Sequence, residues 1–447
     1  MSISFRSGRV RLASVLASST VALSLLAGCA GGGGTTAAAP STEPEPTGPV
    51  TITFWGWAKG TADVVKAFND THTDVKVTFE QIPSGIQGGY TKIANAAKAG
   101  NAPDLFNVEY ASLPDFVTQG HVADVSSLVS DDLKKKYLPQ ATELTTLGGK
   151  TWALPLDAAP QVFFYRKDIF DKAGVTAPTT WDEYRTAAQK LKAADPNTRI
   201  GTFFPDDASP LAAMAWQSGA KWFSTQGDAW KVDINGGDSK NVVDFWQGLV
   251  ADDLIRLQPS FSQQWTASLQ KGETAAYTGA AWGGGVLKGL VPDQGGKWAI
   301  APIPTWDGKP ASGMLGGSTF AVSKNSKHAK AALKFAEWAT TTPEGIQARI
   351  ASGASSMFPA SPALVPTAKA AFKVDFYGGQ DIYSVFIEAG KSIKGNWTWG
   401  PAMGTTNTAL ADGFGKLATG GTLNSAVESA QKATTAELAN RGIKVAQ

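Results

Sequence analysis

The sequence predicts an α/β fold with open sheets and helices on both faces. The first five elements after residue 50 follow the order strand, helix, strand, helix, strand. No short tandem repeat indicates a solenoid or a propeller. A chain of 447 residues with 43% hydrophobic and 17% charged residues has enough apolar material for two or three packed domains.

The first five elements lie between residues 50 and 108. Val50 to Trp55 and Val75 to Phe79 alternate as strands do, and Asp104 to Val108 is an apolar strand. Thr61 to Asn69 and Tyr90 to Gly100 place apolar residues at helical spacing between these strands. This order predicts an open sheet flanked by helices.

Later segments continue the alternation. Thr180 and Glu183 form the ends of a capping box, in which each side chain binds the other's backbone amide, and a helix should begin there. Further predicted strands lie at 162–165, 273–277, 299–303 and 319–322, and further helices at 241–253, 327–340, 379–393 and 405–419.

Charge and cysteine content exclude several functional classes. The chain has 40 basic and 38 acidic residues, and removal of the three arginines at positions 6, 9 and 11 leaves 37 basic residues. No run of five Lys or Arg exists, so no nucleic-acid partner is expected. The sole cysteine, Cys29, allows neither an intramolecular disulfide nor a thiolate metal cluster.

Residues 1–28 resemble a secretory signal peptide. Three arginines precede an apolar stretch at 12–27, which is shorter than the roughly 20 residues that span a bilayer. A permanent membrane anchor is the alternative interpretation. Leu26-Ala27-Gly28-Cys29 resembles the bacterial lipobox, in which cleavage precedes the cysteine and its sulfur receives a diacylglyceryl group. We therefore expect lipidation at Cys29, and a protein anchored on the extracytoplasmic face of the cell membrane.

Residues 29–49 are predicted to be a lipidated, flexible tether. The segment from 30 to 48 contains Gly, Thr, Ala, Pro, Ser and two Glu residues, with no large apolar side chain. Such a composition buries too little surface to offset the entropy of ordering. A coil of this length spans on the order of 25 Å, so the globular part should lie close to the membrane.

A series of short motifs in the globular part resembles one known family in type and order. The motifs are Ile52-Thr53-Phe54-Trp55-Gly56-Trp57, Ala102-Pro103-Asp104-Leu105-Phe106, Phe163-Phe164-Tyr165-Arg166-Lys167-Asp168, Lys271-Gly272-Glu273-Thr274-Ala275-Ala276 and Gly316-Gly317-Ser318. Over roughly residues 50–440 the chain resembles the extracellular solute-binding lipoproteins of carbohydrate ABC importers, the maltose-binding-protein-like family 1.

This resemblance implies a type II periplasmic-binding-protein-like fold with two discontinuous α/β lobes. Lobe 1 would comprise 50–157 plus 312–358, and lobe 2 would comprise 161–306 plus 364–447. Members of the family close around a sugar by hinge motion, and the transmembrane permease recognises the closed form. We expect a monomer with a carbohydrate ligand, permease subunits as partners, an ATPase acting through them, and neither cofactor nor metal.

Tryptophan is the main candidate for sugar contact among 15 such residues. An indole can cover the C–H face of a pyranose while its N–H stays available. Trp57 lies where the first strand enters its loop, a region where open α/β sheets bind ligands. Trp282 and Trp399 match positions that stack on sugar in the family; a core role is the alternative for all three. Trp residues inside regular patterns are predicted to fill the core: Trp216, Trp246, Trp298 and Trp338.

Polar ligand contacts should come from both lobes. The resemblance implies that Glu109 and Tyr110 line the ligand site at the end of the third strand. It also implies that Asp157, at the first crossing between the lobes, binds sugar hydroxyls. Carboxylates suit this task because one carboxylate can accept two hydroxyl hydrogen bonds.

Four further residues complete the predicted site. Asp206 and Asp207 follow a strand end that should face the cleft, although solvated turn acids are the alternative. Gly317 and Asn396 are further candidates for ligand contact.

An enzyme is the main alternative class. Asp206 and Asp207 could suggest a glycosidase pair, but adjacent residues in a strand point to opposite faces. The sequence has no His-Glu-x-x-His motif and no Gly-x-Ser-x-Gly elbow. The three histidines, at 72, 121 and 328, are interpreted as surface residues. The Gly283-Gly284-Gly285 run lacks the Lys-Ser/Thr end of a nucleotide loop and is interpreted as a turn.

A binding protein of the same architecture for another solute is the second alternative. A peptide, an amino-acid derivative or a polyol phosphate would be such a solute. A phosphate would need arginines or several amides at a helix N-terminus. The arginines after the tether lie mostly within predicted helices and strands, and we therefore expect a neutral sugar.

Overall fold

The computed structural model describes residues 48–446. The predicted signal peptide, Cys29 and nearly all of the predicted tether lie outside the described residues. Within 48–446, no helix combines the length and apolarity needed to cross a membrane.

The strands are short and come from the whole described chain. They are β1 (Val50–Gly56), β2 (Val75–Gln81), β3 (Leu105–Glu109), β4 (Thr146–Leu147), β5 (Lys150–Thr151), β6 (Ala153–Pro155), β7 (Asp157–Ala158), β8 (Gln161–Arg166), β9 (Gly201–Phe203), β10 (Phe223–Gln226), β11 (Ala229–Val232), β12 (Ile255–Leu257), β13 (Ala276–Ala280), β14 (Trp298–Pro302), β15 (Ser318–Val322) and β16 (Phe358–Pro359).

The helices separate most of these strands and dominate the last third of the chain. They are α1 (Thr61–Thr71), α2 (Gly89–Lys98), α3 (Leu113–Thr118), α4 (Asp131–Lys134), α5 (Pro139–Thr145), α6 (Lys167–Lys172), α7 (Trp181–Ala194), α8 (Ser209–Ser218), α9 (Gly237–Ala251), α10 (Gln263–Lys271), α11 (Gly283–Leu290), α12 (Ala329–Thr341), α13 (Pro343–Ile350), α14 (Val365–Ala371), α15 (Ile382–Lys391), α16 (Met403–Phe414) and α17 (Leu423–Asn440).

The first lobe is built on a five-stranded sheet of order β2-β1-β3-β15-β6. β1 is parallel to β2 and β3, whereas β15 is antiparallel to β3 and β6. The alternation of β1 buries Val50, Ile52 and Phe54 on one face, where the phenyl ring of Phe54 packs against those of Phe320 and Phe335.

The second lobe repeats this arrangement. β12 is parallel to β9, and β8 is antiparallel to both β13 and β14. Two backbone hydrogen bonds, from Arg199 to Glu273 and from Ala275 to Arg199, join β9 to the β13 segment in parallel. The resulting order, β12-β9-β13-β8-β14, has the same sequence of parallel and antiparallel neighbours as the first sheet.

Three segments cross between the lobes. The first and second run antiparallel: Leu315 N donates to Ala159 O (2.9 Å), and Gln161 N donates to Gly313 O (3.1 Å). The third contributes β16, which pairs with β7 of the first crossing. Both sheets draw strands from within the predicted lobe ranges, and the exact boundaries of the lobes stay a prediction.

Several local predictions are confirmed. The capping box is present, with Thr180 Oγ1 accepting from Glu183 N (3.2 Å) and Glu183 Oε2 accepting from Thr180 N (3.3 Å). Trp216, Trp246 and Trp298 are buried in the core. Trp338 is only half-buried and packs on the outside of the core.

Other local predictions are wrong. The strand predicted at 273–277 is shifted to β13, and the helix predicted at 405–419 ends earlier, as α16. The glycine run at 283–285 is the first turn of α11 rather than a turn between elements. A Cβ at Gly285 would lie 2.7 Å from Ala354 O, so the glycines allow this helix to pack closely against the third crossing.

The interpretation of the histidines as surface residues is also wrong for His121. Its side chain is 8% exposed and packs edge-on against Phe116. His72 and His328 are half-buried, and the His72 ring stacks on Phe68 at 3.9 Å. Imidazole carries enough apolar surface to pack in this way, which residue type alone does not indicate.

Candidate functional site

The candidate site lies beside the second crossing, where both lobes contribute side chains. Gly316 adopts a φ of +77°, and the space where its Cβ would stand is 3.5 Å from both Glu109 Oε1 and Trp282 Nε1. Glu109 ends β3 of the first lobe, and Trp282 precedes α11 of the second. The fold therefore brings two of the predicted ligand residues together.

A hydrogen-bonded group from the first lobe holds Glu109. Tyr90 Oη donates to Glu109 Oε2 (2.7 Å) and accepts from Glu109 N (3.2 Å). The ring of Trp57 packs edge-on against that of Tyr90 at 5.7 Å. Burial raises the pKa of Glu109 to about 7, opposed by the Tyr90 hydrogen bond and reinforced by the charges of Asp207 and Asp157.

The first crossing contributes Asp157, which is buried. Its Oδ1 accepts from Ser318 N (2.7 Å), an interaction that ties the first crossing to the second. Burial raises the pKa of Asp157 to about 7, against the effects of this hydrogen bond and of the charge of Arg349. A carboxyl group titrating near neutral pH can either accept or donate a hydrogen bond, depending on its protonation.

Tyr110 and Gly317 support this crossing. The Tyr110 side chain is completely buried, and its hydroxyl donates to Asp157 O (2.9 Å). Gly317 has a φ of +88°, and a Cβ there would lie 3.0 Å from the Tyr110 ring, so this position requires glycine. Direct contact of either residue with a ligand stays a prediction.

Arg349 is a buried charge that the sequence interpretation did not single out. Its Nη1 donates to Thr61 Oγ1 (3.0 Å) and to Lys59 O (3.2 Å), which holds the loop between β1 and α1. Burial lowers its pKa to about 10, opposed by the charge of Asp157. An arginine in α13 gives no local sequence signal for this role, because the loop it binds is almost 300 residues away.

The second lobe contributes Trp282, which is half-buried. Its Nε1 donates to Leu315 O of the second crossing (2.8 Å), and its ring lies 6.5 Å from the ring of Tyr277. This hydrogen bond fixes the indole beside the crossing while part of its surface stays accessible. That arrangement suits the stacking role predicted for Trp282.

The two adjacent acids of the second lobe have different surroundings. Asp206 is exposed, and its carboxylate accepts from Ser260 N (2.7 Å) and Ser260 Oγ (2.9 Å). Asp207 Oδ1 accepts from Ser209 N (2.9 Å) at the start of α8. Burial raises the pKa of Asp207, whose charge acts on Glu109 across the site. Both acids thus accept hydrogen bonds from serines nearby in the fold, and their contact with a ligand stays a prediction.

Trp399 belongs to a packed group of tryptophans in the second lobe. It is 6% exposed, and its ring lies 5.1 Å from Trp397, which stacks on Trp216 at 5.3 Å. Asn396 precedes this group in an exposed, left-handed conformation with a φ of 63°. The predicted ligand contacts of Trp399 and Asn396 stay predictions, and little of the Trp399 ring is accessible for one.

One polar contact joins the lobes away from the crossings. Asp115, at the start of α3, accepts from Arg441 Nη1 at 2.7 Å and from Gly404 N at 3.2 Å. Gly404 lies in the first turn of α16, where a carboxylate is favoured by the helix dipole. Asp115 therefore links the first lobe to two elements of the second.

Among the described residues, no three His, Cys, Asp or Glu side chains are grouped so as to hold a metal ion. His121 and His328 instead line a cavity of about 270 Å³ together with Lys324 and Asp104. This cavity lies where β1 and β3 begin, whereas Glu109 lies where β3 ends.

The fold resembles those of binding proteins that were solved with a disaccharide bound. The ABC transporter-associated binding protein from B. animalis subsp. lactis Bl-04, solved with beta-1,6-galactobiose, is 28% identical, with a TM-score of 0.80 over 89% of this chain and 100% of that chain. The galacto-N-biose-/lacto-N-biose I-binding protein from Bifidobacterium longum, solved with lacto-N-biose, is 28% identical, with a TM-score of 0.79 over 90% of this chain and 100% of that chain.

Sequence comparison agrees with the structural one. The arabinooligosaccharide-binding protein of Bacillus subtilis (strain 168) is 27% identical over 312 residues, which are 67% of this chain and 71% of that protein. The family model described as bacterial extracellular solute-binding protein matches residues 57–346, well over half of the chain. The two-lobe fold and the family resemblance are thereby confirmed: this chain belongs to the bacterial extracellular solute-binding proteins, family 1.

Proposed function

We propose that this protein binds a neutral oligosaccharide between its lobes and delivers it to the permease of an ABC importer. The observation that carries the proposal is the convergence at Gly316 of a first-lobe carboxyl group, Glu109, and a second-lobe indole, Trp282. Carboxyl groups suit sugar hydroxyls, and an indole suits the C–H face of a sugar ring.

The charge of the site favours a neutral solute over an anionic one. Burial raises the pKa of Glu109, and the negative charges of Asp207 and Asp157 raise it further. The buried Arg349 uses its Nη1 on the β1–α1 loop. A phosphate or carboxylate ligand would add negative charge to three acids, which is unfavourable at low dielectric.

Relatives support a sugar ligand with more than one ring. Two structural neighbours at 28% identity were solved with the disaccharides beta-1,6-galactobiose and lacto-N-biose, and a sequence relative is named for arabinooligosaccharides. We therefore propose these three sugars as the first probes, with galactose and arabinose for comparison.

Isothermal titration calorimetry of the purified protein with this panel tests the proposal. We expect saturable binding of at least one oligosaccharide at a stoichiometry of one. Binding of a peptide or a polyol phosphate in place of every sugar would favour the alternative solute classes. Chromatography of the sugar after prolonged incubation separates binding from hydrolysis; we propose that the sugar is recovered intact.

We further propose that the chain is a monomer held at the membrane by a lipid on Cys29. The lipobox-like motif supports this anchor, and family membership places the protein outside the cytoplasm. Cys29→Ser should release the protein into the medium or leave its signal peptide uncleaved. Membrane retention of a fully processed Cys29→Ser protein would rule the lipid anchor out. Cross-linking in intact cells tests the proposed interaction between this protein and the permease.

A further inference from the structure

Phe261 stands out because a large apolar side chain is exposed in a disfavoured backbone conformation. Within residues 48–446, only Phe261 (39%) and Ile86 (44%) are large hydrophobic residues with exposed side chains. Phe261 has a φ of +52°, in the left-handed region where a bulky side chain is disfavoured. Such conformations persist only where the surrounding structure holds them, and they are concentrated at binding and catalytic sites.

The surrounding contacts fix Phe261 in this conformation. Asp206 accepts two hydrogen bonds from Ser260, the preceding residue, at 2.7 Å from its N and 2.9 Å from its Oγ. On the other side, the Phe261 ring packs at 90° on the fully buried Trp265, with centroids 5.6 Å apart. The turn is thus held by hydrogen bonds on one side and by a rigid aromatic base on the other.

The exposed phenyl ring adjoins the indole of the candidate site. The ring centroids of Phe261 and Trp282 are 6.0 Å apart, and the ring planes are inclined by 52°. One flat sugar ring cannot lie parallel to two faces inclined at that angle. Two successive rings of a saccharide, joined at a glycosidic bend, can each lie on one face.

We propose that Phe261 is a second aromatic contact for the ligand, that Asp206 is the positioning residue for it, and that the pair selects saccharides of at least two rings. This inference rests on the proposed sugar-binding function. It changes the role expected for Asp206, from binding sugar hydroxyls to holding the 260–261 turn.

The first experiment is calorimetry of Phe261→Ala with the tightest-binding oligosaccharide of the panel and with its terminal monosaccharide. We expect oligosaccharide affinity to fall by about 5- to 30-fold, within the range for an aromatic contact, and monosaccharide affinity to stay within about 2-fold. Phe261→Tyr, which keeps the ring, should retain most of the affinity. Trp230→Ala, which removes a half-buried aromatic of the same lobe packed on Phe223, should leave the ratio of affinities unchanged.

The second experiment separates positioning by Asp206 from direct sugar contact. Asn at this position can still accept from Ser260 N and donate to Ser260 Oγ, whereas Ala can do neither. We expect Asp206→Asn to bind the oligosaccharide within about 3-fold of the parent protein, and Asp206→Ala to lose about as much as Phe261→Ala. The double variant Asp206→Ala/Phe261→Ala should bind no more weakly than Phe261→Ala alone, because both changes remove the same contact.

The outcomes distinguish this inference from the proposed function. If no sugar of the panel binds the parent protein, the proposed function fails and the inference fails with it. If sugar binds but Phe261→Ala affects oligosaccharide and monosaccharide equally, or not at all, the two-ring selection is wrong. If the losses from Asp206→Ala and Phe261→Ala add, Asp206 contacts the sugar itself and is not a positioning residue.

Discussion

The two lobes share one arrangement of strands but present different chemistry to the candidate site. The first lobe contributes Glu109, fixed by the Tyr90 hydroxyl, whereas the second contributes the rings of Trp282 and Phe261. Hydrogen-bonded carboxyl groups orient hydroxyls, and aromatic faces cover the apolar side of a sugar ring. Asp207 is an acid of the second lobe whose charge also reaches Glu109. We propose that the two halves of this repeated scaffold divide recognition in this way, and we expect tight binding to require both lobes.

The first prediction concerns the packed group of tryptophans in the second lobe. Trp399→Ala should lower the free energy of unfolding by about 3–5 kcal/mol, because it leaves a cavity in the packed group of tryptophans beside Trp397. Urea denaturation measures this loss. Trp338→Ala, at a half-buried position of the first lobe, serves as the control and should cost less. Equal losses in the two variants would show that Trp399 is not a packing residue of the second lobe.

The second prediction concerns Trp282, the indole that the second lobe contributes to the candidate site. Trp282→Ala should weaken oligosaccharide binding by about 1–3 kcal/mol, since it removes a ring held beside the crossing by its bond to Leu315 O. Calorimetry measures this change. Trp282→Phe keeps an aromatic face but loses the hydrogen bond, and an intermediate affinity is expected. Unchanged affinity in Trp282→Ala would remove this residue from the site.

The contact between the halves tests whether the lobes act together. Asp115→Asn and Arg441→Gln should each weaken oligosaccharide binding by about 1 kcal/mol without touching the ligand, because each removes the charge attraction between the lobes. Small-angle scattering should show a larger radius of gyration for both variants without sugar. The double variant should lose no more than either single one; additive losses would mean that the two side chains act separately.

The buried carboxyl groups contributed by the first lobe and the first crossing should make the stability of the protein depend on pH. Burial raises the pKa of Glu109 to about 7, so the folded protein favours its protonated form. Below the ordinary glutamate pKa of about 4.3, Glu109 is protonated in both the folded and the unfolded protein, and burying it as a charge costs nothing. As pH rises through 7, Glu109 ionises while buried, and the folded protein is destabilised relative to the unfolded one. The free energy of unfolding should therefore fall between pH 5 and pH 8. Asp157, whose pKa is raised in the same direction, contributes to the same fall.

Glu109→Gln should reduce this fall by about 1 kcal/mol, because an amide does not ionise. Denaturation of both proteins at pH 5, 6, 7 and 8 measures the difference. Glu388→Gln, which removes one exposed carboxyl group paired with Lys391, is the control for the loss of a surface charge. Parallel pH profiles for the parent protein and Glu109→Gln would contradict a raised pKa at this position.

Local sequence patterns predict the helices and strands better than they predict which residues meet at the candidate site. The capping box at Thr180 was predictable because both of its partners lie within one helical turn. Trp282 was predictable as a site residue only through the family resemblance. Phe261 was not predicted at all, because the hydrogen bond beside its turn joins Ser260 to Asp206, which lies more than 50 residues away.

The errors have the same origin. The glycine run at 283–285 has the composition of a turn, yet it forms a helix because Ala354 of a distant segment leaves room for no side chain there. The burial of His121 follows from its packing on Phe116 in a cluster formed by several elements. A local stretch of sequence reveals neither the approach of Ala354 to the glycines nor the cluster of elements that buries His121.

The sequence by itself determined the class of the fold, the order of its first strands and helices, and that no intramolecular disulfide can form. These depend on periodicity, capping and composition, which act over a few residues. Only the tertiary structure decided which acids lie together, which tryptophans are accessible, and that Asp206 holds the turn bearing Phe261. These depend on contacts between residues far apart in the chain, which periodicity, capping and composition do not record.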